Sequence, residues 1–316
     1  LLGRRKIQEL RGRDLISIGD LSADEVLAVM EMAARLKNGE SAPVLAGKTL
    51  ALLFEKPSLR TRVSFEVAMR QLGGQCLYLS PPEVGLGERE TPADVARVLS
   101  RYVDVIAART FKHDTVEGLA RYADVPVVNA LSDDEHPCQA LADLLTIREK
   151  KGHWRGVSLA FVGDGNNVAR SLMLGAAMLG MDFRIASPRD YGVEPDLAAK
   201  AGAMAVACGG SVASVESPRE AVRGADVVYT DVWASMGQEH EATQRLEAFA
   251  GYQVDRELMA EAAPDAIFMH DLPAHRGEEV AEEVIEGPQS VVFEQAENRL
   301  HAQKAVLALI LAEGLG

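Results

Sequence analysis

The chain has 316 residues, enough for two domains of ordinary size, and its 47% hydrophobic content can fill both cores. A formal charge of −14 with no basic run excludes a nucleic-acid-binding face, and no apolar run approaches the roughly 18 residues that a membrane span needs. Cys76, Cys138 and Cys208 have neither paired nor metal-ligand spacing, which points to a reducing, cytoplasmic setting without a disulfide framework.

The opening segment LLGRRKIQELRGRD has too short an apolar stretch for a secretory signal. Ser22 followed by Glu25 has the pattern of a capping box and predicts a helix over Ala23–Lys37. Thr49–Phe54 reads as a buried strand, and Val63, Val67, Ala68 and Leu72 then recur at helical spacing until Gly73-Gly74. Ser58, Arg60, Thr61 and Arg62 therefore fall at a helix N-terminus, where free N–H groups, the helix dipole and two guanidiniums suit a phosphate. A plain capped helix start with solvated arginines has the same local pattern, so the cluster alone does not decide between the two.

Gln75–Leu79, Val103–Ala107 and Val125–Asn129 read as buried strands, with helices over Pro92–Arg101 and Thr115–Tyr122 between them. The next helix, Pro137–Arg148, opens at His136-Pro137-Cys138-Gln139, with proline in the first turn, where its missing N–H costs nothing. A neutral His136 can donate to a carbonyl oxygen and Gln139 offers an amide, although a lone histidine at a helix start is more often a cap. The polar, Gly-bounded stretch from Glu149 to Gly156 marks a domain boundary. Beyond it, Val157–Val162, Phe183–Ala186, Val227–Thr230 and Ala266–His270 read as strands and Asn167–Leu179 as a helix. The final helix, Glu297–Leu311, is apolar on more than one face and must pack in a groove. This alternation predicts an α/β chain with parallel sheets covered by helices on both faces.

Gly163-Asp164-Gly165-Asn166-Asn167-Val168 imitates a dinucleotide fingerprint, but its third glycine is missing. The following strand also ends in Ile185-Ala186-Ser187-Pro188, without the acid that grips a ribose, so no nicotinamide cofactor is expected. Asp231 to Gln238 lies just after a strand, where open α/β sheets bind ligands, and Asp231 with Ser235 suits an amino-acid head group; a Gly-hinged surface loop has the same composition. His270 and His275, five apart across Pro273, do not make a helical metal pair, and no metal site is expected.

Taken together, FEKPSLRTRVSFE from Phe54, HPCQALADLL from His136, DVWASMGQE from Asp231, HDLPAHRGEEV from His270 and ENRLHAQKA from Glu297 resemble the ornithine carbamoyltransferases. The resemblance to this branch of the aspartate/ornithine carbamoyltransferase family runs from about Lys48 to the end of the last helix. It implies two doubly wound domains, a carbamoyl-phosphate-binding one over residues 1–148 plus 297–316 and an ornithine-binding one over 149–296. It also implies transfer of the carbamoyl group from carbamoyl phosphate to ornithine, giving citrulline and phosphate in arginine metabolism, with no cofactor. By the same resemblance, Ser58, Leu59, Arg60, Thr61, Arg62, Arg109, His136, Gln139 and Arg299 hold carbamoyl phosphate. Asn167, Asp231, Ser235, Met236, Asp271 and Leu272 hold ornithine, and Arg60, Arg109, His136, Asp231 and Asp271 carry the catalysis. The implied assembly is a homotrimer or a multiple of trimers. Two positions depart from the family pattern: Gly85 stands where a glutamine usually crosses to a neighbouring subunit, and Asp271 where the family has cysteine. A carbamoyltransferase for another amine, such as acylated ornithine or putrescine, and a catalytically silent homologue share parts of the pattern. The first would lack partners for the α-carboxylate, and the second a complete clamp.

Overall fold

The computed structural model describes residues 10–40, 43–87, 89–234 and 241–313. The chain divides into two compact units, Leu1–Leu145 with Glu297–Gly316, and Thr146–Ala296.

In the first unit, α1 (Ala23–Lys37) starts on a reciprocal cap: the Glu25 N–H donates to Ser22 Oγ at 3.3 Å, and the Ser22 N–H donates to Glu25 Oε2 at 2.8 Å. There follow β1 (Thr49–Phe54), α2 (Leu59–Gln71), β2 (Gln75–Leu79), α3 (Pro81–Val84), α4 (Pro92–Leu99), β3 (Val105–Arg109), α5 (His113–Tyr122), β4 (Val127–Leu131) and α6 (Pro137–Lys151), which continues past the unit boundary. The sheet is parallel in the order β2-β1-β3-β4. Leu50, Ala51, Leu52, Leu53 and Phe54 of β1 are all fully buried, as a central strand covered on both faces requires. Because β1 leads to β2 on one side and β3 lies on the other, the strand order reverses between β1 and β3, and their C-terminal ends pair Phe54 with Arg109.

The second unit contains β5 (Ser158–Val162), α7 (Asn167–Met178), β6 (Asp182–Ala186), α8 (Pro195–Cys208), β7 (Ser211–Val215), α9 (Pro218–Val222), β8 (Val227–Tyr229), α10 (Ala242–Ala248), α11 (Arg256–Met259), β9 (Ile267–Met269) and α12 (Glu282–Ile285). Its sheet, also parallel, runs β7-β6-β5-β8-β9 and reverses between β5 and β8. A last helix, α13 (Val292–Leu311), begins in this unit and ends in the first.

The expected α/β class with two parallel sheets holds; among the differences, two boundary shifts and one unanticipated strand have clear physical reasons. Strand β4 starts at Val127 rather than Val125, because Pro126 has no N–H to give the ladder and contributes only its carbonyl, which accepts from Ile106 N at 3.0 Å. Helix α13 starts at Val292 rather than Glu297, its first turn held by buried Gln295, whose Oε1 accepts from the His270 N–H at 2.9 Å. Strand β7 has no counterpart in the sequence reading: it is a sheet edge of small, largely exposed residues, so no buried run announces it.

Candidate active site

Each unit gathers its chemistry at the point where its strand order reverses, the usual position of a crevice in an open parallel sheet. In the first unit the loop after β1 delivers Ser58, which caps α2. Its Oγ accepts from the Thr61 N–H at 3.3 Å and donates to Thr61 Oγ1 at 3.0 Å. Thr61 is buried at the centre of a convergence. Arg299 Nη2 of α13 donates to its Oγ1 at 2.8 Å, and Arg109 Nη1, from the last residue of β3, approaches the same oxygen at 3.5 Å. Arg299 Nη1 donates to Gln139 Oε1 and lies 3.5 Å from His136 Nε2. Arg60, half-buried beside them, makes no hydrogen bond or ion pair with any described residue.

Positive charge dominates this cradle. His136 is buried and its pKa is held well below the usual histidine value, first by desolvation and then by the fields of Arg299, Arg109, Lys56 and Arg60. Its imidazole is therefore neutral at pH 7. The fields of four cations thus converge on one buried neutral ring, an arrangement suited to an anionic group.

In the second unit, Asn166 caps α7, accepting from the Val168 and Ala169 N–H groups at 3.0 and 3.1 Å, and its Nδ2 donates to Asp231 Oδ2 at 2.7 Å. Asn167, the first residue of α7, is buried next to it. Asp231 follows β8 and is buried; burial and the neighbouring Asp271 carboxylate raise its pKa well above the ordinary range, opposed by His270 and Asn166. Asp271 follows β9 within a rigid turn. Leu272 has a left-handed backbone, φ 62°, and its N–H donates to His270 Nδ1 at 2.9 Å; His270 Nε2 donates in turn to buried Glu279 at 3.1 Å. The same Glu279 oxygen accepts from the His275 N–H at 2.6 Å, so one buried carboxylate holds both ends of the turn. Ligating atoms of Asp231, His270 and Asp271 lie within 4.8 Å of one another. Both ring nitrogens of His270 are already engaged, however, so a cation there would have to displace one of those bonds.

Comparison with known proteins then decides the family. Residues 13–149 match the family described as aspartate/ornithine carbamoyltransferase, carbamoyl-P binding domain, and residues 155–310 match its Asp/Orn binding domain. The chain belongs to the aspartate/ornithine carbamoyltransferase family. It is 59% identical over 309 residues to an ornithine carbamoyltransferase of Hyperthermus butylicus, covering 96% of this chain and 98% of that one. It is 54% identical over 309 residues, with the same coverage, to an anabolic ornithine carbamoyltransferase of Pyrococcus furiosus. The solved ornithine carbamoyltransferase structure from Pyrococcus furiosus superimposes with a TM-score of 0.92 at 55% identity, covering 96% of this chain and 98% of that chain.

Within this aspartate/ornithine carbamoyltransferase, Ser58, Thr61, Arg109, His136, Gln139 and Arg299 meet in one hydrogen-bonded group with Arg60 beside it. Leu59 at the start of α2 is exposed, and Arg62 stands apart: its Nε donates to Glu66 at 2.8 Å and its guanidinium stacks 3.8 Å over the Tyr78 ring. Asn167, Asp231, Asp271 and Leu272 occur at the switch point of the second sheet, whereas Ser235 and Met236 lie outside the described residues. Lys56 escaped the sequence reading although it sits inside the FEKPS motif. It is buried, with its ammonium 5.2 Å from the centre of the Phe111 ring, and only the folded chain brings its charge to His136. Glu279 escaped too, because its role depends on burial. Gly85 ends α3 with φ 54°, a backbone that glycine adopts freely and a glutamine would strain.

Proposed function

We propose that this chain is an ornithine carbamoyltransferase that makes citrulline and phosphate from carbamoyl phosphate and ornithine in the biosynthetic direction. The observation that carries this reading is the cradle of Arg60, Arg109, Arg299 and Lys56 around neutral His136, with Arg60 making no bond to any described residue. Ser58, the α2 N-terminus and Arg60 take the phosphoryl group, with Leu59 supplying backbone contact, while Arg62 stays with Glu66 and Tyr78. Thr61, Arg109, His136, Gln139 and Arg299 hold the carbamoyl end, where donors aimed at the developing oxyanion are each worth on the order of 10²–10³ in rate.

Ornithine is held through its α-amino-acid end by Asn167, Ser235 and Met236. Asp231, Asp271 and Leu272 receive the side-chain amine. The neutral amine attacks the carbamoyl carbon; the new C–N bond forms as the C–O bond to phosphate breaks, and the departing phosphate takes up the proton released from nitrogen as it leaves into the cations. No step calls for a metal or redox cofactor. The biosynthetic direction rests on the similarity to the relative named anabolic. Three free thiols suit action in the cytoplasm. A homotrimeric assembly is supported by the apolar side chains Leu59 and Val63 of α2 and Leu77 of β2, which are 77%, 48% and 51% exposed.

The test is an assay of phosphate and citrulline with carbamoyl phosphate and, in turn, ornithine, putrescine, acetylornithine and aspartate. Citrulline with stoichiometric phosphate, and the highest kcat/KM for ornithine, is the expected result. A higher kcat/KM for any other amine, or no turnover, overturns the proposal.

A further inference from the structure

Arg299 donates to Thr61 with one nitrogen and to the Gln139 amide oxygen with the other, so the end of the amide that Gln139 presents bears on where the guanidinium points. Gln139 Oε1 accepts from Arg299 Nη1, while Gln139 Nε2 donates to Asp143 Oδ1 at 2.8 Å. All three side chains are buried, Gln139 and Asp143 completely; these two stand one turn apart on α6, and Arg299 comes from α13. An amide has two nearly isosteric ends, one a double donor and one an acceptor, and nothing in its shape determines which faces the guanidinium. Chemistry does: a carboxylate can only accept, so Asp143 draws the NH₂ to itself and leaves the oxygen for Arg299. With the amide reversed, two donors would meet inside the cradle, and Arg299 would have to swing away from Thr61, to which its other nitrogen donates at 2.8 Å.

We infer that Asp143 is a positioning residue, which fixes the orientation of Gln139 and through it aims Arg299 at the carbamoyl phosphate site. This rests on the carbamoyl phosphate reading proposed above. Asp143 touches no substrate on this view; its route to Arg299 runs through two hydrogen bonds, Gln139 Nε2 to Asp143 Oδ1 and Arg299 Nη1 to Gln139 Oε1. What matters is an acceptor at this position, so asparagine, which can turn its own oxygen towards Gln139 Nε2, should largely replace it. Alanine cannot.

The measurement is the affinity of the full chain for carbamoyl phosphate by isothermal titration calorimetry, alongside kcat and the melting temperature. Asp143→Ala should weaken binding about tenfold or more, the scale at which a displaced positioning group is felt, and Asp143→Asn should return it to within about threefold of wild type. Should the alanine variant fail to fold, a reversed pair serves. Gln139→Glu alone sets two carboxylates against each other, and adding Asp143→Asn supplies a donor while leaving a carboxylate oxygen for Arg299, so the double variant should bind more tightly than the single one. Equal losses in Asp143→Ala and Asp143→Asn, wild-type affinity in Asp143→Ala, or a double variant no better than Gln139→Glu would each overturn the inference. Absence of carbamoyl phosphate binding by the wild-type chain would instead overturn the functional reading on which it rests.

Discussion

Arg60 and Arg299 are both guanidiniums in one cradle, yet only Arg299 is tied to the fold. Arg299 bonds Thr61 and Gln139, whereas Arg60 makes no hydrogen bond or ion pair with any described residue. Replacing Arg60 by alanine should therefore lower kcat/KM about 10²–10³-fold while the thermal midpoint stays close to that of wild type. A collapsed midpoint with unchanged turnover would identify it as structural. Asp271 makes the other residue-scale prediction. Its carboxylate helps to hold the buried Asp231 carboxyl protonated well above the usual range. An acid whose pKa is raised loses its proton only at higher pH, so removing the neighbouring charge lowers that pKa. In Asp271→Cys the acid limb of the pH–rate profile, and with it the optimum, should move to lower pH, since a close carboxylate typically moves a neighbour's pKa by roughly 1–3 units. It also favours the ammonium form of a bound amine, which shifts the optimum in the same sense. Superimposable normalised profiles for the two proteins would refute both effects.

At the scale of elements, the loop from β5 to α7 shows how a glycine that resembles a cofactor signature serves packing instead. A Cβ placed on Gly165 would lie 2.4 Å from both the Gly192 carbonyl carbon and the Val193 nitrogen, backbone atoms with no freedom to turn aside. The same loop carries Asn166, which caps α7 and bonds Asp231. Gly165→Ala should cost ~1–3 kcal/mol of stability, the usual range for overpacking, read as a lower urea midpoint. It should also raise KM for ornithine more than KM for carbamoyl phosphate, because the displaced elements belong to the second unit. Unchanged midpoint and KM values would show that the 192–193 segment yields freely. The turn 270–275 obeys a related logic: Leu272 is held in a left-handed conformation while its own N–H donates to buried His270 and the His275 N–H, at the far end of the turn, donates to buried Glu279.

For the molecule as a whole, a net charge of −14 coexists with a cradle of four cations. The two are compatible because net charge governs long-range behaviour, whereas binding follows the few charges concentrated at one strand-order reversal. The exposed Leu59, Val63 and Leu77 lie on the clamp helix α2 and on the edge strand β2. Burying them between copies is the basis of the trimer proposal, and it has a direct consequence. Leu59→Asp with Val63→Asp should shift the mass measured by light scattering from trimer to monomer, since charged groups at the centre of an interface are strongly disfavoured. A trimer that survives both substitutions would exclude this face from the assembly.

Much of this organisation was legible locally. The cap of α1, the buried run of β1 and the Ser58 start of α2 follow from side-chain preferences within a few residues, so the amino-acid pattern determined them. The α/β class and its parallel sheets followed from the alternation of such segments. Edge strand β7 and the short helices α9 to α12 were not legible, since exposed or four- to seven-residue elements carry too little periodicity. Nor could local pattern place Lys56 near His136, assign Glu279 to the 270–275 turn, or show that Arg299 meets Thr61 across 238 residues of chain. Those relations depend on burial, and burial is a property of the packed chain: desolvation turns His136 neutral and Asp231 acid-retaining only once the surrounding strands and helices have removed water.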